Sequence, residues 1–259
     1  MSGLYQVRGI VLSTRDFQET DRILHILTPN RGKITAIAKG VRKAKSSLRS
    51  GTQRLCLARF LLYEGKSMAT VTQCQVEDFF GPLREDLTRL LNACYLAEIA
   101  EAATLPGQAN AGMFWLLQKS LHLLTREEPF LVARAFEARM IHLLGVAPRL
   151  SVCAACESPL EGERAITVAP GAGGALCRNC RGKHGPEHLL SKETLAVWRR
   201  LMETSIYYLR RLKLSPRCKS ELAEVMPAYL EYYLDRKLKS RALIEKIEGD
   251  AYEYGTREN

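Results

Sequence analysis

No stretch of the 259 residues approaches the ~18 uninterrupted apolar residues that a membrane-spanning helix requires. The opening MSGLYQVRGIVLSTRDF lacks the charged start, apolar core and small-residue cleavage site of a secretory signal, so a cytoplasmic protein with reduced thiols is expected. There is no G-x-x-x-x-G-K-[ST] loop for nucleotide phosphates, no G-x-S-x-G elbow and no H-E-x-x-H pair. Asp16, Glu19 and Asp21 stand close together, but a hard-metal site needs further ligands, and the three read as surface carboxylates at a turn. His25 falls in a strand-like run, and His122 and His142 in apolar helical runs, where buried structural roles are expected. Cys56, Cys74, Cys94 and Cys218 stand singly, as small core residues do. Together these absences leave no evident catalytic group.

Acidic residues are also missing from one long interval. None occurs between Asp21 and Glu64, whereas Arg22, Arg31, Lys33, Lys39, Arg42, Lys43, Lys45, Arg49, Arg54 and Arg59 all do. The formal net charge of +10 favours a polyanion, nucleic acid before anionic membrane. The segment AKGVRKAKSSLRSGTQR mixes cations with Gly and Ser and reads as a mobile loop after a strand, able to lay several charges along a phosphate backbone; the blander alternative is a solvated surface loop. Tyr5, Phe17, Phe60 and Tyr63 could stack on bases, but aromatics on alternating strands are more often core. A weaker second cationic set follows: Arg199, Arg200, Arg210, Arg211, Lys213, Arg217, Lys219, Arg236, Lys237, Lys239 and Arg241.

Apolar alternation predicts about five strands within residues 4–80: Tyr5 to Ser13, Arg22 to Thr28, Lys33 to Val41, Leu55 to Gly65 and Ser67 to Phe79. That count suits a small closed barrel such as an OB-fold. After Phe80-Gly81-Pro82 the period becomes helical, with breaks at Pro106-Gly107 and Glu128-Pro129 and a stop at Gly145. Ser191 reads as a helix cap, and a last helical region extends to about Ile247, interrupted before Pro216. The expected fold class is therefore multidomain α+β. Its parts are an OB-fold barrel over 1–80, a helical domain over 81–150 and 184–250, and a zinc-binding loop over 151–183 inserted in it.

Cys153, Cys156, Cys177 and Cys180 carry that insertion, as C-x2-C-x20-C-x2-C. Each pair places two thiolates on one side of a tight turn, and two such turns supply the corners of a Zn²⁺ tetrahedron. Four thiolates close the coordination shell, so the site reads as structural, with His184 and His188 near enough in sequence to replace one ligand.

The run GIVLSTRDFQETDRILHILTPNRGKITAIAKGVRKAKS resembles the N-terminal region of the RecO family of bacterial recombination mediators. The matching positions are Arg15-Asp16-Phe17, Glu19, Asp21-Arg22, then Thr28 and Gly32-Lys33, then Ala38-Lys39-Gly40, Arg42-Lys43 and Lys45-Ser46. RKLKSRALI (Arg236 to Ile244) and the four cysteines are similar too. Gln18 departs from a frequent glycine, and Thr52 to Phe60 from a leucine-glutamine-proline run. The resemblance implies a nucleoid-associated repair protein without catalysis. It would bind single- and double-stranded DNA regardless of sequence, anneal complementary strands, and work with RecR, and often RecF. Together they help RecA replace single-stranded-DNA-binding protein. Arg15, Arg22, Arg31, Lys33, Lys39, Arg42, Lys43 and Lys45 are carried over as DNA contacts. An RNA-binding or ribosome-associated zinc protein is the alternative from another class, and a metalloenzyme acting on nucleic acid the third.

Overall fold

The alternating N-terminal runs form five strands: β1 (Leu4–Phe17), β2 (Asp21–Thr28), β3 (Gly32–Ala38), β4 (Leu57–Tyr63) and β5 (Ala69–Asp78). They close into a barrel of order β1-β2-β3-β5-β4, antiparallel except for the β3–β5 seam. Closure leaves no free sheet edge, and this is the barrel the alternation predicts. Val7, Val11, Leu24, Ile26, Ala36, Phe60, Leu62 and Val71 fill its interior. A register shift between Val11 and Ser13 bends β1, so that its first half pairs with β4 and its second with β2. The expected alternation fails at Ile10 and Leu12, whose outward side chains are fully buried, because a helix packs on that face. The structure, a computed structural model, describes residues 3–160, 165–203, 212–244 and 246–247.

The one-turn helix α1 (Gly81–Arg84), the longer α2 (Leu87–Ala103) and then α3 (Ala111–Leu124) follow the barrel. Asp86 and Asn110 cap α2 and α3 by accepting the Arg89 and Met113 backbone N–H groups at 3.0 Å. The break between them falls at Pro106-Gly107, as its composition predicts. At Gly32 the backbone takes φ +64°, and a Cβ there would overlap the Gln108 carbonyl, so glycine is required twice over. The described residues through Arg126 form one compact unit with those from Leu238 onward. In that unit Leu238 is buried, and the Glu98 carboxylate accepts the Lys239 and Ser240 N–H groups at 2.9 Å, at the start of a helical segment over 239–244. The RKLKSRALI segment thus spans the end of one unit and this docked return.

The second unit is Glu127–Lys237. Glu128 caps α4 (Pro129–Leu143), with Pro129 as its first residue. A three-stranded antiparallel sheet follows, in the order β7 (Gly174–Leu176), β6 (Ala165–Ala169), β8 (His188–Ser191). Then come α5 (Lys192–Glu203) and α6 (Pro216–Leu234), which runs through Pro227. Trp198 of α5 meets Tyr229 of α6 edge-on at 5.6 Å, and Phe136 and Met140 of α4 complete the buried core. Within α4, Arg134 pairs with the fully buried Glu137 at 2.7 Å and donates to the Leu222 carbonyl of α6 at 3.1 Å. Arg210, Arg211 and the terminal AYEYGTREN lie outside the described residues.

Two expectations are corrected. His122 and His142 are exposed, since the apolar stripes of α3 and α4 that face their cores pass beside them. Phe60 is buried as core, but Phe17 and Tyr63 stand outside the barrel, 38% and 44% exposed.

Candidate nucleic-acid interface and metal centre

The basic segment between β3 and β4 is a chain of turns. Lys43 N–H donates to Gly40 O and Ser46 N–H to Lys43 O, each at 3.1 Å, and Arg49 N–H to Ser46 O at 3.3 Å. Its far end is anchored: Thr52, Leu55 and Cys56 are buried, and Leu48 packs on the barrel core. The looseness expected from its Gly and Ser content is therefore replaced by a pinned arc. The pin at its near end is acidic. Asp21 accepts the Gly40 N–H at 2.8 Å and the Thr20 hydroxyl at 3.0 Å. The Gly40 hydrogen bond, against some burial, holds the Asp21 carboxyl below the usual range. Asp16 receives Arg22 at 3.0 Å and Arg42 at 3.5 Å. The carboxylates of the turn thus orient cations of the arc.

This geometry sorts the sequence-derived cations. Arg22, Lys39, Arg42, Lys43 and Lys45 gather where the β1–β2 turn meets the arc, since Arg22 pairs in register with Ala38. Lys39, Arg42, Lys43 and Lys45 are exposed, and Lys39, Lys43 and Lys45 make no ion pair among the described residues. Arg15 is exposed near the same end, one residue out of phase with Asp16 and so on the other face of the hairpin. Arg31 and Lys33 lie at the far end of β3, about 20 Å away at the usual rise per strand residue. Arg31 covers the Tyr5 ring at 4.2 Å. Lys33 places its ammonium on the Glu101 carbonyl, 2.7 Å away at the C-terminal end of α2, where a cation offsets the helix dipole.

Other cations of the acid-free interval are used internally. Arg54 donates to the Leu12 carbonyl at 2.9 Å and the Cys94 carbonyl at 3.0 Å. Arg59 pairs with Glu77 at 2.6 Å. Arg49, exposed on the arc, belongs with Lys43 and Lys45; its signal was the same-sign run, which extends past the motif that singles out the others.

The four predicted metal ligands converge. Their sulfurs lie within 4.8 Å of one another, with Cys156 and Cys177 Sγ 3.6 Å apart. Tetrahedral Zn²⁺ with Zn–S bonds of about 2.3 Å sets sulfurs about 3.8 Å apart, so the cluster fits it. Local backbone builds each corner. Glu157 takes φ 61° to close the first turn, with its N–H on Cys153 O and the Cys153 N–H on Ser158 O, both at 2.9 Å. Ala154 N–H reaches Ala175 O of β7 at 2.7 Å, and Cys180 N–H reaches Cys177 O at 3.1 Å. Burial opposes ionisation of Cys153, yet the N–H groups of Cys177, Cys156 and Ala155 outweigh it and hold that thiol at about 6. Hydrogen bonding with Cys156 and Cys177 pushes Cys180 up to about 12. Four thiols so close cannot all ionise unless a cation sits among them, which is what this donor set provides for. His184 and His188 do not join the four sulfurs in the cluster; Nδ1 of His188 lies 3.0 Å from the Glu224 carboxylate instead. Among the described residues, the metal-competent cluster consists of the four cysteines alone.

A family model for the N-terminal part of recombination protein O matches residues 1–80, and one for its C-terminal part matches residues 84–242. The chain belongs to the RecO family. A RecO of Moorella thermoacetica, named a DNA repair protein, is 57% identical over 250 residues, covering 96% of this chain and 94% of its own. Its counterpart from Desulfitobacterium hafniense is 36% identical over 95% of this chain and 90% of its own, and that from Desulforamulus reducens 31% over 94% and 95%. RecO is a family of DNA repair and recombination proteins. Among the described residues no helix is long and apolar enough to cross a membrane.

Proposed function

We propose that this RecO-family chain is a recombination mediator. It binds single- and double-stranded DNA without reading sequence, anneals complementary strands, and, with RecR and RecF, helps RecA load onto DNA covered by single-stranded-DNA-binding protein. The observation that carries this reading is the pinned cationic arc on the barrel, in a chain matched along nearly its full length by RecO. Lys39, Arg42, Lys43 and Lys45, joined by Arg49, meet phosphates, with Arg22 and Arg15 flanking them; Arg31 offers a separate contact. Lys33 is assigned to the α2 terminus instead, because its ammonium is engaged there.

Such work needs no bond-making group. Two strands repel as polyanions, and cations on a fixed backbone lower that repulsion while leaving bases free to pair. Zn²⁺, which Cys153, Cys156, Cys177 and Cys180 would hold, would supply a cross-link that stabilises the β7-β6-β8 sheet, with no part in chemistry. The protein acts in the cytoplasm, at the nucleoid.

The test is annealing of complementary oligonucleotides coated with single-stranded-DNA-binding protein. Acceleration by the wild type, reduced at least tenfold when Arg42, Lys43 and Lys45 are changed to Glu, is the expected result. Unchanged annealing by that variant would remove the arc from the mechanism.

A further inference from the structure

The protein has two tryptophans, and the structure treats them oppositely. Trp198 is fully buried, whereas Trp115, on α3, is 45% exposed. Trp115 is held from behind: Phe114, itself fully buried, meets it edge-on at 5.1 Å and 81°. Beside the ring stands a fixed cation. The Arg8 guanidinium lies 5.4 Å from the Trp115 centroid, anchored by the Glu77 carboxylate at 2.6 Å and the Gln118 side-chain oxygen at 3.1 Å. Arg59, opposite Arg8 in the β1–β4 register, reaches the same Glu77 from the other side at 2.6 Å. Two guanidiniums thus share one carboxylate, and the patch stays positive.

We propose that Trp115 and Arg8 form a stacking platform on the barrel wall for an unpaired base of single-stranded DNA. The inference rests on the DNA-binding reading and names which part of the strand this face holds. An exposed, rigidly backed indole presents a flat apolar face, and every base has a π-face to match it whatever the sequence. The surrounding positive charge selects a polyanion over an apolar protein surface. A duplex hides its base faces in the stack, so only a single strand uses the ring. In sequence the arc runs on into β4, the strand that pairs with the Arg8 segment of β1. The consequence for annealing is directional. Pairing withdraws the base from Trp115, and the product duplex keeps only its phosphate contacts.

Tryptophan emission supplies the test, because Trp115→Phe leaves only the buried Trp198. Titrating wild type with an oligothymidylate is expected to quench emission, and Trp115→Phe is expected to lose that quench while still binding. Trp115→Ala is expected to weaken single-strand affinity between about 5-fold and about 100-fold, the worth of one stacked base, with duplex affinity and the salt slope unchanged. Thermal melting confirms that both variants fold, since the indole is half exposed. Binding without any change in Trp115 emission, or equal loss for single strand and duplex, would overturn the platform and leave the arc intact. Absence of binding to either form would overturn the DNA reading and the platform with it.

Discussion

At Gln18 the backbone adopts φ 53°, in the left-handed region where a side chain costs about 1 kcal/mol and glycine costs nothing. That explains in physical terms why a glycine suits this turn in the pattern the sequence resembles, and why glutamine there is a local strain. Leu55, within the other departing segment, also has a positive φ, 68°, and donates its N–H to Val11 O at 2.8 Å, so the unusual sequence there coincides with a pinned backbone. A single carboxylate sets one pH response. Burial alone would push Glu221 up, but the Thr194 hydroxyl, the Ser191 N–H and Arg217 hold it at about 2. Its folded-state value lies below the unfolded carboxylate value of about 4.3. The resulting stability is therefore complete above that value and is lost as pH falls from about 4.3 toward about 2. Glu221→Gln is expected to lower the urea midpoint at pH 7 and to flatten its decline in acid. Parallel acid declines in variant and wild type would show that Glu221 is not the group responsible.

The small sheet of the second unit shows why a cross-link belongs there. β7 has three residues and β8 four, too short to hold register by ladder bonds alone. Side-chain and backbone contacts tie the segment to its helices: Tyr233 of α6 donates to Pro170 O at 3.0 Å, and Arg149 N–H to Gly173 O at 2.9 Å. Removal of metal by a chelator is expected to lower the melting temperature and to expose amides of β6, β7 and β8 to hydrogen exchange, while barrel amides stay protected. Cys153→Ser is expected to reproduce that pattern without chelator. Loss of DNA binding with exchange unchanged in the sheet would instead place the metal in the interface.

For the whole molecule, net charge overstates what is available to DNA. Of the cations in the acid-free interval, Arg54 and Lys33 are spent on carbonyls and Arg59 is paired with Glu77. The arc leaves about five phosphate contacts, which predicts a slope of log K against log salt of about −3.5 on single strands. Each Lys→Ala change on the arc should flatten it by about 0.7. A slope set by the full excess of cations would be far steeper, and fluorescence anisotropy across a salt series separates the two.

Spacing and period made much of this protein legible. The two C-x-x-C pairs fix their own ligand geometry, because each turn is local, and the five strands announce themselves by alternation closed off by turn residues. Helix breaks at Pro106-Gly107 and Glu128-Pro129 were equally local. What only tertiary structure decided is the use of each charge and ring. Arg54 meets carbonyls 42 and 40 residues away, Trp115 stands beside Arg8 from the other end of the unit, and His122 and His142 turn outward although their neighbours are apolar. A side chain's partners are chosen by how strands and helices close on one another, and a sequence lists the groups without stating which of them meet.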